Sequence, residues 1–93
     1  MITKISKEEV ARKCEELKEE IYKEMKNKGP YSFNSPHEVL GTIAEEYHEL
    51  IKAITSDNFF SIREELVDIA VLAIFGVASM DSHLNQLAKD AEQ

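Results

Sequence analysis

Ten consecutive residues, Ile69 to Ala78, carry no polar side chain, and this run constrains the fold more than anything else in the chain. It is too short to span a bilayer, which takes about 20 apolar residues, so it reads as a buried helix. A helix that is apolar on every side needs neighbours on every side. With only 3 Gly and 2 Pro among 93 residues, 43% of them hydrophobic and 31% charged, the chain has the composition of a folded helical protein. The expected fold is all-α, a helical hairpin plus an N-terminal and a short C-terminal helix, forming one domain over residues 1–93. So small a chain leaves an all-apolar helix short of partners, so the bundle is expected to be completed by oligomerisation, as a homodimer or homotetramer.

Capping signals divide the chain. Ser6 with Glu9 is a capping box that opens a helix running to about Lys28 and ended by Gly29-Pro30. Val10, Cys14, Leu17, Ile21 and Met25 form its narrow apolar stripe, and its seven basic and seven acidic residues cancel. Ser35-Pro36-His37-Glu38 opens the second helix, with Ser at the N-cap and Pro at the first helical position. Its apolar face runs from Val39 to Ile54, and Thr55-Ser56-Asp57-Asn58 supplies a turn and a new cap. The third helix is expected from Asp57 or Asn58 to about Met80, with Ser61 and Glu64 as a competing capping box. A short last helix is expected around Ser82 to Ala91, with Leu84, Leu87 and Ala88 on one side.

Charge and cysteine content narrow the function. The net charge of −7 disfavours a broad electrostatic grip on nucleic acid or anionic membrane, so neither is an expected partner. The single Cys14 has no partner for a disulfide and is expected to pack on its helix. The opening Met1-Ile2-Thr3-Lys4 lacks the apolar core of a signal peptide. A soluble, cytoplasmic protein is the expectation.

The acidic excess is concentrated. Between Glu38 and Asp68 eight acids face only Lys52 and Arg63. With about 100° per residue and Ile43 at zero, Glu46 falls about 60° from the core direction, Glu49 about 120° and Glu45 about 160°. Glu46 and Glu49 are thus the pair nearest the core on the second helix. On the third, Glu65 and Asp68 stand three residues apart, one turn before the apolar run. If the two helices pack antiparallel, four carboxylates converge, and cations relieve their repulsion. Oxygen donors without His or Cys select Mg²⁺, or Mn²⁺, over zinc. Such ions suit phosphoryl substrates.

Glu45-Glu46-Tyr47-His48-Glu49, fifteen intervening residues, then Glu65-Leu66-Val67-Asp68 resembles the E-E-x-x-E, spacer, E-x-x-D signature of the MazG-like, all-α nucleoside triphosphate pyrophosphohydrolases. The resemblance covers roughly residues 35–80. It implies Mg²⁺-dependent hydrolysis of a nucleoside triphosphate, NTP or dNTP, to the monophosphate and pyrophosphate, in an oligomer with sites near helix-bundle interfaces. By position Glu46, Glu49, Glu65 and Asp68 would be the metal ligands, and Glu45 and Glu49 the catalytic carboxylates, Glu45 as supporting acid or general base. Substrate contacts would fall to Asn85 and Lys89 on the last helix and to Phe33 and Asn34 in the loop before the second, with Tyr31, Phe59 and Phe60 as further aromatic candidates.

Two other readings compete. One is a non-catalytic helical oligomerisation or interaction module whose acids serve solubility alone. The other is a ferritin-like di-iron carboxylate protein, suggested by Glu45-x-x-His48, although Asp68 stands where a second His is required.

Overall fold

A computed structural model describes residues 3–28, 33 and 35–92. It is all-α, with α1 over Lys7–Lys28, α2 over Pro36–Thr55 and α3 over Phe59–Ala91. The chain divides into two compact units, residues 1–31 with α1 and residues 32–93 with α2 and α3.

In the first unit, α1 opens as its sequence dictates: Ser6 Oγ accepts from the Glu9 backbone N–H at 3.1 Å. Its balanced charges pair along the surface three residues apart, Lys18 with Glu15 at 2.9 Å and Lys13 with Glu16 at 3.2 Å. Cys14 is exposed, contrary to the packing expected from its place in the apolar stripe. That stripe is one residue wide, too narrow to seclude each member.

In the second unit, Ser35 Oγ accepts from the Glu38 N–H at 3.2 Å and starts α2, with Pro36 at the position where its missing N–H costs nothing. Three residues then reverse the chain. Asp57 has a φ of 55°, its N–H donates to the Ile54 carbonyl at 3.1 Å, and the Asn58 N–H donates to the Ala53 carbonyl at 3.2 Å. This is a Schellman closure, which satisfies the carbonyls left open at the end of α2. Asn58 also begins α3, since its Oδ1 accepts from the Ser61 N–H at 3.1 Å. The Ser61 and Glu64 capping box is therefore bypassed.

The core of this unit is a line on α3 formed by Val71, Phe75 and Ser79, joined by Ala53 of α2. Gly76 packs toward α2, where a Cβ would lie at an ordinary contact distance of 3.6 Å from Val39 Cγ1. Phe33 is buried, and its backbone N–H donates to Ser79 Oγ at 3.0 Å, which ties the segment before α2 to α3.

Two expectations need correction. No break separates a short last helix: α3 continues without interruption from Phe59 to Ala91. Asp81 and Ser82 have low helix propensity, but neither Gly nor Pro occurs from Val77 onward, and the hydrogen-bond ladder carries through. The apolar run is also covered on one side only, for Val71, Phe75 and Gly76 are buried while Ile74 and Val77 are exposed. The whole of α3, unlike the ten-residue run, is long and apolar enough to cross a membrane by length and composition, with a mean hydropathy of 1.5 over its most apolar window. Core helices of soluble proteins are equally apolar but mostly buried, whereas here 22% of that window is buried, around Val71, Phe75 and Ser79.

Candidate metal centre

The antiparallel hairpin brings acids from two helices together. Glu46 of α2 lies one turn beyond Ile43, on the border of the apolar face, with Leu50 and Ala53 continuing its line toward the turn. Glu65 and Asp68 project from α3 one turn before Val71 and Leu72. One carboxylate oxygen from each of Glu46, Glu65 and Asp68 lies within 4.8 Å of the other two. Glu46 and Glu65 are half-buried and Asp68 is exposed, so the group opens to solvent on the Asp68 side.

Electrostatics mark Glu46 as unusual. The Glu46 carboxyl is pushed from 4.5 up to about 7, first by the hydrogen bond it makes to Glu65 when protonated, then by burial, then by the charges of Glu65, Asp68 and Glu49. Glu65 Oε2 is buried without a hydrogen-bond partner. A buried acceptor of this kind calls for a donor or a cation beside it.

Other candidate residues lie elsewhere. Glu49, expected as the fourth ligand, is exposed and outside the close group, and its Oε1 pairs with Lys52 Nζ at 3.5 Å. It acts on Glu46 only through its charge. The i, i+3 spacing of Glu49 and Lys52 is visible in the sequence and is the signal that the ligand reading passed over. Glu45 and His48 are both exposed and both outside the group, so the pair that suggested a di-iron centre does not face the other acids. Phe33 is a buried anchor whose backbone is held by Ser79, not an open aromatic wall. Asn34 and Tyr31 lie outside the described residues. Phe59 and Phe60 are almost fully exposed at the hairpin end.

The continuity of α3 decides the case of Asn85 and Lys89. With a rise of 1.5 Å per residue they sit about 26 and 32 Å along the helix from Asp68, too far to share a ligand with the acids of their own chain. Both were expected on a short separate last helix, and α3 instead runs on without interruption through them.

Three carboxylates on two helices provide hard oxygen donors that could hold a divalent cation, with the Asp68 side open to solvent. Beyond the acids, an apolar cleft of about 430 Å³ runs between the helices, lined by Val39 and Ile43 of α2 and by Gly76, Val77 and Met80 of α3. Comparison with protein families, curated proteins and solved structures finds no match for this chain.

Proposed function

We propose that the chain is a Mg²⁺-dependent hydrolase of nucleoside triphosphates, releasing pyrophosphate and the monophosphate. The observation that carries this reading is the meeting of Glu46, Glu65 and Asp68 within 4.8 Å. Two of these sit half-buried, and one buried oxygen lacks any donor. Carboxylates gathered for solubility alone spread apart on the surface, because crowding them opposes ionisation, as the upward shift of Glu46 records. A divalent ion held by these residues would supply charge neutralisation for phosphate oxygens and activation of water. The resemblance of the two acidic motifs to the MazG-like signature points to the α-phosphorus as the site of attack.

The chain's own residues have separate parts. Glu46, Glu65 and Asp68 would hold the ion, with Glu46 in its ionised form. Glu65 is the least adaptable, since its Oε2 faces inward. Glu49 contributes field, and its Lys52 partner can release it toward a ligand at little cost because both are exposed.

The test is a panel of nucleoside triphosphates assayed for pyrophosphate release with Mg²⁺. Asp68→Asn and Glu65→Gln each lower the rate by at least about a hundredfold while the helical signal is unchanged, in line with removal of a charged ligand. Unchanged release in both variants rejects the reading and favours a passive interaction module.

A further inference from the structure

The apolar cleft between α2 and α3 begins where the acids end. On α2, Pro36, Val39, Ile43 and Glu46 recur at spacings of three, four and three, so that Glu46 is the last member of the row that forms one wall. On α3, at about 100° per residue, Glu65, Leu72 and Gly76 fall within about 40° of one another, which sets Glu65 at the head of the facing wall. With a rise of 1.5 Å per residue, the cleft reaches about 15 Å from the level of Glu46 to Pro36. Asp81, at the far end, is the only charged side chain among the described residues that line it. Ala73 is exposed and Val77 is 62% exposed, so much of this wall is left uncovered by its own unit.

A ligand that matches both parts has a head suited to a divalent ion and an apolar body as long as the cleft. A nucleoside meets the second condition poorly, because a base edge carries donors and acceptors that these walls leave without side-chain partners. An extended chain of about twelve carbons, with C–C bonds of about 1.5 Å in a zigzag, covers about 15 Å. Resting on the reading of Glu46, Glu65 and Asp68 as an ion site, we propose that the cleft binds the chain of a prenyl or alkyl diphosphate of about this length, its diphosphate turned to the acids and its tail toward Pro36. This is a ligand class beyond the nucleoside triphosphates, drawn to the same centre. Burial of the tail against Val39, Ile43 and Val77 supplies the affinity that the three acids alone do not. Asp81 adds selectivity, since its charge opposes a second anionic group at the far end. The ligand therefore carries its negative charge at one end only.

Isothermal titration in the presence of Mg²⁺ compares inorganic pyrophosphate, geranyl diphosphate and farnesyl diphosphate, each below the concentration at which it forms micelles. Affinity rises at each step by at least about tenfold, since each longer ligand buries several more CH₂ groups. Dodecyl diphosphate run alongside tells an unbranched chain from a prenyl one, and tight binding of either supports the site. Ala73→Trp fills the cleft from an exposed position. It brings the three ligands within about threefold of one another, because the tail no longer finds its wall, while helical signal and pyrophosphate binding are retained. Affinity that does not grow with chain length, while Mg²⁺ and pyrophosphate still bind, overturns the proposal and leaves the ion site standing. Absence of binding by Mg²⁺ and pyrophosphate overturns both. An undiminished gain with chain length in Ala73→Trp, or farnesol bound as tightly as its diphosphate, assigns the tail to another apolar surface and overturns the proposal as well.

Discussion

Glu46 is where burial, charge and hydrogen bonding act on one group. Its carboxyl reaches about 7 in the folded chain from 4.5 when free, so the folded state binds the extra proton between those values. Stability conferred by that proton is fully present below pH 4.5, falls as pH rises toward 7, and is flat above it. Without metal, the hairpin therefore loses stability across that window, on the order of 2 kcal/mol after allowance for partial exposure. Glu46→Gln, a permanent donor to Glu65, removes the dependence. Urea unfolding at a series of pH values with a chelator present measures both, and a flat profile for the unaltered chain contradicts the assignment. Divalent ions compete with the same proton, so their affinity rises with pH up to about 7 and levels off.

Elements follow local rules except where tertiary structure decides. Ser6, Ser35 and Asn58 cap the three helices as their types and positions announce, because a cap is a contact within four residues and needs no knowledge of the rest of the fold. Glu46, Glu65 and Asp68 were legible as a group from the period of the flanking apolar residues. Glu49 stands outside that close group and pairs with Lys52 three residues along, a local contact that the apolar period does not register. The end of α3 was not legible either: Asp81 and Ser82 resemble a helix boundary, and only the absence of Gly and Pro argues otherwise. His83→Pro separates the two cases. At the first turn of a separate helix proline is tolerated, but inside a continuous one it removes a hydrogen bond and clashes, costing about 3 kcal/mol. The expected result is a clear loss of ellipticity at 222 nm, the standard helical band, as residues after the break fray. Gly76→Ala acts in the other direction. Its new methyl group meets Val39 at an ordinary 3.6 Å, so the gain in helix propensity, about 1 kcal/mol, appears as a higher melting temperature.

At the scale of the molecule, charge is divided unevenly: the chain carries −7 overall, yet the seven bases and seven acids of α1 balance, leaving the hairpin to hold the excess. On the proposed reading, ion binding to the folded hairpin is expected to relieve that repulsion and raise stability by mass action. Mg²⁺ at ten times its dissociation constant adds about 1.4 kcal/mol, several degrees for a chain of this size. Thermal melts with Mg²⁺ and with equal ionic strength of Na⁺ distinguish site binding from screening, since screening alone gives equal shifts. The turn of Ser56, Asp57 and Asn58 has a wider effect than its size suggests. Because the last carbonyls of α2 and the first amides of α3 are tied within these three residues, the turn works as a gauge that sets how far one rod slides and rolls against the other. One residue added there rolls α3 by about 100° and sends Glu65 and Asp68 away from Glu46. Loop length, the dimension in which helical hairpins ordinarily vary most freely, is closed to this one.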